Sequence, residues 1–350
     1  MSPSIVLMIG VILLLPTLLP LFPVDWWWVR IWDFPRAQLA VVYLVAIVLL
    51  LIVPGGGWTR TANAGVLAIC LVYQLSWIVP YLPLAPVQTL NATRADPDVS
   101  LKILIANVLM TNRAADRFLA VAHQADPDLL IIDEPDSWWE QHLRVLDDIY
   151  AHHTKYPLDN TYGMIVYSRL PMLRSEVKFL VDEEIPSVHS LIQLRSGDIV
   201  EVIAVHPRPP LPQIDTAERD AELVLVGRQA KASPYATIVA GDLNDVGWSK
   251  TTQLFQQVSG LLDPRRGRGL YPTYHAEYLL LRYPLDHLFH AAEFRLRRIE
   301  VLDSIGSDHF PLLVELSYEP ERRREHHIPQ PDEATHERAQ EKLERVGEDR

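Results

Sequence analysis

Six stretches of this 350-residue chain join an apolar run to a polar side chain able to bind a cation or move a proton. Asn107 closes Leu101–Ala106, Glu134 follows Ile131-Ile132-Asp133, and His206 follows Val202–Val205. Asp242 and Asn244 follow Ile238-Val239-Ala240-Gly241. Asp286 and His287 lead into Leu288-Phe289, and Ser307-Asp308-His309 into Phe310-Pro311-Leu312. A strand held in a sheet aims such side chains rigidly. Buried carboxylates seldom gather without a cation or a catalytic task. The oxygen donors Asn107, Glu134, Asp242, Asn244 and Asp308 include no cysteine, and hard oxygen ligands suit Mg²⁺ or Mn²⁺ better than zinc. Such an ion polarises a phosphoryl oxygen. Asp242 could then hold or deprotonate a water, and a histidine behind Asp308, oriented by a second carboxylate, could face the phosphate. Singly, each residue has a plainer reading: Asn107 in a turn, His206 on the surface before Pro207, Glu134 before Pro135 as a helix cap.

The elements that must position these residues follow from periodicity. Strands are expected at Leu101–Asn107, Leu129–Asp133, Met164–Tyr167, Glu176–Leu180, His189–Leu194, Ile199–Val205 and Ala236–Ala240. Three more are expected at Pro284–Phe289, Phe294–Leu302 and Pro311–Leu316. Helices are expected at Arg113–Gln124, Ser137–Asp148 (capped by Ser137) and Thr216–Lys231. Several neighbouring strands lack an intervening helix, which makes the sheets mixed and excludes a simple βαβ winding.

The first ninety residues have another character. They contain no lysine, and their charges are Asp25, Arg30, Asp33, Arg36 and Arg60. Apolar runs at Ile5–Val24, Leu39–Val53 and Ala64–Leu84 predict three transmembrane helices. The indoles of Asp25–Trp32 are expected at headgroup depth and Pro54–Trp58 in the second turn. No basic segment precedes the first run, and two more apolar runs follow it, which favours membrane helices over a cleaved signal peptide. These features predict a multi-pass bacterial-type cell-membrane protein with the bilayer as partner. Counting arginines favours a cytoplasmic C-terminal domain by a margin of one residue, which does not decide the side.

The expected organisation is therefore a three-helix anchor over residues 1–84, a proline-rich linker over 85–99, a soluble domain over 100–318 and a charged, disordered tail over 319–350. The tail counts ten acidic and seven basic residues. One cysteine, Cys70, excludes a disulfide scaffold and a cysteine zinc site. The His152-His153 and His326-His327 pairs read as exposed polar residues, and no HExxH string is present. Residues 93–318 hold 22 basic against 32 acidic residues, which disfavours a nucleic-acid partner gripped through phosphates. The cluster Arg265-Arg266-Gly267-Arg268 is the candidate contact for an anionic headgroup, with a solvated loop as the alternative. Trp138, Trp139 and Trp248 read first as packing residues. No obligate protein partner is evident.

The ordered set of Asn107, Glu134, Gly163–Arg169, His206, GDLN at Gly241–Asn244, LDH at Leu285–His287 and SDH at Ser307–His309 resembles the endonuclease/exonuclease/phosphatase (DNase I-like) superfamily. The acidic, anchored architecture resembles its membrane-tethered branch. The resemblance covers nearly all of the soluble domain. It implies an α/β (α+β) fold, a four-layer αββα sandwich of two mixed β-sheets flanked by helices. It also implies a metal-dependent phosphoric ester hydrolase. Glu134 would be the main metal carboxylate, with Asn107 beside it and Asp308 completing the network. Asp242 would activate water, Asn244 and His206 would bind the scissile phosphate, and His309, oriented by Asp286, would stabilise the phosphoryl transition state. Leu109 stands where some nucleases of the superfamily carry an aspartate. The expected substrate is a phosphate ester or diphosphate, lipid-linked in the leading reading. The alternatives are a membrane-tethered nuclease and a non-catalytic scaffold.

Overall fold

The computed structural model describes residues 3–52 and 57–348. Helix α1 (Pro3–Leu18) leads through a 3₁₀ turn to the short α2 (Trp27–Arg30), α3 (Arg36–Ile52) and α4 (Gly57–Ile78). These are continuous apolar segments, and α3 and α4 bury a small shared core around Tyr43, Leu67 and Cys70. Of the expected second turn at Pro54–Trp58, residues 54–56 lie outside the described residues.

The expectation of three membrane spans is corrected here. Among the described residues only the 25-residue stretch Gly57–Tyr81 is long and apolar enough to cross a bilayer unaided. Helix α1 has 16 residues, about 24 Å at 1.5 Å per residue against a hydrocarbon layer of about 30 Å. The segments Trp27–Asp33 and Arg36–Ile52 qualify only as one pair bent by 73°. The tryptophan stretch is thus partly helical, and hydrophobic length in the sequence did not translate into straight helix.

The remaining elements form two sheets. Strand β1 (Ser100–Asn107) is followed by α5 (Ala115–Ala125), β2 (Leu129–Asp133), α6 (Ser137–Leu143), β3 (His152–Tyr156) and β4 (Met164–Ser168). Then come β5 (Met172–Phe179), β6 (Pro186–Gln193), β7 (Ile199–Val205), α7 (Ala217–Ala232), β8 (Ala236–Asp242) and α8 (Lys250–Ser259). Strands β9 (Asp286–His290), β10 (Phe294–Val301) and β11 (Leu312–Tyr318) precede the last helix, α9 (Glu333–Glu348). One sheet has the order β10-β11-β1-β2-β4-β3 and the other β5-β6-β7-β8-β9. The pairs β1/β2 and β7/β8 are parallel; the other neighbours are antiparallel.

Alternation along each strand assigns the layers. Leu101, Ile103 and Ile105 face Val202, Ala204 and Ile238 across the sheets. Leu104 and Ala106 point the other way onto Phe118 and Trp139 of α5 and α6. Ile203, Val205 and Val239 turn outward onto Leu223 and Phe255 of α7 and α8. The result is helix, sheet, sheet, helix.

Three local expectations change. Asp136, not Ser137, caps α6 by accepting the Trp139 N–H at 2.9 Å. His152 and His153 lie in edge strand β3, whose polar sequence hid its pairing with β4. The expected disordered tail contains α9, which seats Ala339 and Leu343 against Val224 and Val258. Thr335, Ala339 and Leu343 recur every fourth residue, so one narrow stripe suffices to dock an otherwise charged helix. The linker is also tied down, since Thr93 and Arg94 donate backbone N–H groups to Glu319.

Candidate active site

Strand direction brings the polar ends together. The parallel strands β1, β2, β7 and β8 finish on Asn107, Asp133, Val205 and Asp242. Strand β9 begins where antiparallel β8 ends, pairing Asp286 with Asp242. Strand β11 begins beside the end of β1, pairing Leu312 with Ile105 and placing His309 just before it. All the polar termini therefore meet at one edge of the sandwich.

Asn107 is the hinge of the cluster. Its Nδ2 donates to Glu134 Oε1 at 2.8 Å and to Asp242 Oδ2 at 3.1 Å. Its Oδ1 accepts the Leu109 N–H at 2.9 Å. Glu134 caps no helix; its second oxygen accepts the Met110 N–H at 3.2 Å. Burial raises the Glu134 carboxyl's pKa above its ordinary value, although these donors work the other way.

Asp242 and two histidines form the centre. Asp242 Oδ1 accepts the Asn244 N–H at 2.9 Å. Its Oδ2 lies 3.5 Å from His309 Nε2 and 3.8 Å from His206 Nε2. His309 Nδ1 donates to Asp286 Oδ2 at 2.8 Å. Burial opposes a charge on His309, but Asp286 and Asp242 outweigh it and hold its pKa at about 10. His206 goes the other way, its pKa lowered by burial that Asp242 only partly offsets. One imidazole is thus a cation and the other neutral, a division of labour set by neighbours.

Local backbone geometry has been bent to reach this arrangement. Leu109, Glu134 and Asn244 have φ of 56°, 65° and 50°, values that cost a non-glycine residue about 1–3 kcal/mol each. Two glycines permit the close approaches. A Cβ on Gly163 would strike the Pro135 carbonyl and one on Gly241 the Val205 carbonyl. The Gly163 carbonyl accepts the Glu134 N–H at 3.0 Å.

The donor set fits a divalent cation. Asp133, Glu134, Asp242, Asp286 and Asp308 crowd one region, and His309 is the cation that faces them. Among the described residues, Asp133 Oδ1 and Asp286 Oδ1 are buried acceptors without a donor. Such orphans are costly unless a cation or proton meets the site. Asp242, Asp286 and His309 also bring ligand atoms within 4.8 Å of one another. We read that trio as a hydrogen-bonded triad, because His309 is a cation whose Nδ1 is spent on Asp286. The Glu134 side, faced by Asp308, is the better place for a metal.

The expected residues converge, with two departures. The Asn107 amide oxygen, expected beside the metal, already accepts the Leu109 N–H with one of its two lone pairs, and its amide nitrogen bridges two carboxylates. The arginine cluster is not a set of free cations at the site. Arg265 is 1 % exposed, its guanidinium bonded to Asp263 at 2.8 Å and His287 Nδ1 at 2.6 Å. Arg266 lies over Tyr81 and Arg268 donates to the Thr89 carbonyl and Asn91. His287, its pKa pushed down to about 3 by burial, is a structural partner of Arg265. Trp139 and Trp248 are buried and Trp138 stacks on His142, so all three pack.

Sequence reasoning passed over several contributors. Asp133 accepts the Asp242 N–H on Oδ2 at 3.0 Å, and burial, then Asp242, raises its pKa well above normal. Its position at the end of an apolar strand, just before Glu134, was the available signal. Ser307 Oγ donates to the Asn107 carbonyl at 2.8 Å. Arg219, buried between Asp220 and Asp245, donates to the Asn244 carbonyl at 2.9 Å. Tyr274 lies 4.9 Å from the His309 ring and Tyr162 5.7 Å from that of His206.

A model of the endonuclease/exonuclease/phosphatase family matches residues 104–309. A search of curated protein sequences gives no match. Among solved structures, TDP2 from D. rerio complexed with a single-strand DNA product is similar at 18 % identity and a TM-score of 0.54, covering 63 % of this chain and 100 % of that one. The endonuclease/exonuclease/phosphatase from Beutenbergia cavernae is similar at 19 % and 0.53, covering 63 % and 72 %. The human nocturnin catalytic domain with bound sulfate gives 16 % and 0.51, covering 63 % and 93 %. At these identities the likeness is one of fold.

Proposed function

Because the chain belongs to the endonuclease/exonuclease/phosphatase family, we propose that it is a membrane-anchored, divalent-metal-dependent phosphoesterase that hydrolyses a phosphate ester or diphosphate. The observation that carries this reading is His309, held as a cation between Asp286 and Asp242 beside the Asn107–Glu134 pair. Glu134 and Asp308, with Asn107 beside them, would hold Mg²⁺ or Mn²⁺. When bound, that ion polarises the phosphoryl oxygen and offsets charge developing on it.

The chain's own groups supply the rest. Asp242, anchored through Oδ1 by the Asn244 N–H, directs Oδ2 to a water and accepts its proton. The water oxygen bonds to phosphorus as the opposite P–O bond breaks, and the electron pair leaves with that oxygen. His309 stabilises the negative charge of the crowded phosphoryl group. His206, neutral and with Nδ1 unpartnered among the described residues, hydrogen-bonds the phosphate. Asn244 adds its amide once it leaves the Pro207 carbonyl, 3.0 Å away.

Membrane association is supported by α4 and by the outward apolar surfaces of α1 and α3. The acidic balance of the catalytic region favours a lipid-linked or small substrate over nucleic acid. The test uses the full chain in lipid nanodiscs, with Mg²⁺ or with EDTA, on polyprenyl diphosphate and on plasmid DNA. Metal-dependent release of phosphate, reduced about 10³-fold in His309→Ala, is expected. Nicking of DNA alone, lost in the same variant, rejects the lipid reading in favour of a tethered nuclease. Inactivity on both, with no metal binding by calorimetry, supports a scaffold.

A further inference from the structure

Between Gly269 and Leu285 the chain makes a narrow excursion whose base lies at the site and whose tip is bare. At the base, the Tyr274 ring packs on His309 and the Ala276 N–H donates to the Asp308 carbonyl at 2.7 Å. The two arms are joined by Thr273 N–H to Tyr283 O at 3.0 Å and His275 N–H to Leu281 O at 3.1 Å. At the tip, Tyr278, Leu279, Leu280 and Leu281 are 57, 72, 79 and 50 % exposed. Burying a leucine side chain is worth about 1.5–3 kcal/mol, so consecutive bare leucines mark a surface that expects an apolar partner.

The neighbours identify that partner. Gln38 Nε2, in the first turn of α3, donates to the Leu280 carbonyl at 3.1 Å. Phe34, just before α3, packs edge-on against Tyr283 with ring centroids 5.7 Å apart. One turn beyond Gln38, α3 exposes Val41, Val42, Leu44 and Val45, so the leucine tip continues the helix's apolar surface. Arg282 turns away from the tip, donating to the Ala276 carbonyl at 3.2 Å with its guanidinium over Phe310.

We infer that the Tyr278–Leu281 tip inserts into the lipid leaflet surrounding the start of α3, and so holds the His309 side of the site against phosphoesters presented at that leaflet. This rests on the membrane-anchored phosphoesterase reading and specifies its substrate class: a phosphoester whose apolar tail stays in the bilayer while its phosphate reaches His309.

The test places an environment-sensitive dye on Leu280→Cys in the full chain, with buried Cys70 changed to alanine, in vesicles carrying nitroxide-labelled lipid. A second dye position, Val45→Cys, reports whether α3 is in lipid at all. Quenching at both positions by the lipid nitroxide supports the inference. Quenching at Val45 without quenching at Leu280 overturns it and leaves the anchor standing. Quenching at neither overturns both readings. Leu280 dyes that instead quench one another as protein density rises overturn it in favour of a second copy as partner. A Leu279→Ser, Leu280→Ser, Leu281→Ser variant should lose about tenfold or more turnover of polyprenyl diphosphate in vesicles and none on soluble bis(4-nitrophenyl) phosphate. An equal loss on both substrates, or no loss on either, overturns it.

Discussion

The helices before residue 82 and the sandwich after residue 99 bury polar groups for opposite purposes. In the helices many apolar side chains face outward, while polar ones run in series through the interior. Arg36 pairs with Asp33 and donates to Gln74 at 3.0 Å, Gln74 donates to Thr17 at 2.8 Å, and Thr17 meets Tyr43 at 2.7 Å. In a bilayer, which the proposed anchor would occupy, helices with apolar exteriors would gain little from hiding more apolar surface, and hydrogen bonds and close packing would join them. In the sandwich the apolar side chains fill the interior and buried polar groups collect at one edge, where Asp133 Oδ1, Asp286 Oδ1 and His206 Nδ1 lack partners among the described residues. A network joined to itself provides cohesion; one left open awaits a ligand.

Substitutions can break that contrast. Asp286→Asn removes the charge holding His309 cationic and should lower turnover about a thousandfold. Its Tm should stay within about 3 °C, because the charge taken from beside His309 also stops repelling Asp133 and Asp242, and Asp286 Oδ1 has no donor to lose among the described residues. A variant that melts early yet still turns over would mean that the edge network is structural after all. Arg36→Leu should do the reverse, costing about 3 kcal/mol by leaving Asp33 with the weaker contact to Arg30, at 3.5 Å, as its remaining charge partner. Thermal unfolding in detergent reads that loss, and adding Asp33→Asn should recover part of it.

Glu222 sharpens the contrast, since it is buried in α7 and serves neither purpose. Its Oε1 has no donor among the described residues, and burial, with Asp182 and Glu218 nearby, pushes its pKa up to about 8. Folded and unfolded chains both hold the proton below the ordinary value of 4.5, so no penalty exists there. Stability is lost as pH rises towards 8 and the loss is complete above it. Glu222→Gln should therefore stabilise the protein at pH 9 by on the order of 3 kcal/mol and change little at pH 4. The smallest effect concerns the seam between the regions. Lys342 of α9 bridges Asp25 and Asp220, and Arg345 joins Asp25 at 2.5 Å. Lys342→Ala should cost about 1 kcal/mol, more at low salt than at high.

Much of the catalytic region was legible because strand endings are local features. Alternation located ten of the eleven described strands, and strand termini named the residues of the cluster. Edge strand β3 escaped because His152–Tyr156 offers no apolar alternation. Glycines 163 and 241 stood in the recognisable strings, but the carbonyls crowding them lie up to 36 residues away. The apolar helices were legible as composition and misjudged as spans, because a run of apolar residues does not reveal a 73° bend. The tail misled for the converse reason: charge dominates its composition, while the stripe that docks it is three residues wide.

The order of residue types along the chain was enough to determine the family, the sandwich and the side chains that meet at its edge, since parallel strands and their antiparallel neighbours deliver those ends to one place. Tertiary structure alone decided their states. Whether an arginine is free or spent, or an imidazole charged or neutral, depends on fields and donors within a few ångströms, supplied by residues far off in sequence. Asp286 and Asp242 make His309 a cation, Asp263 occupies Arg265, and Gln38 sets the leucine tip beside the start of α3.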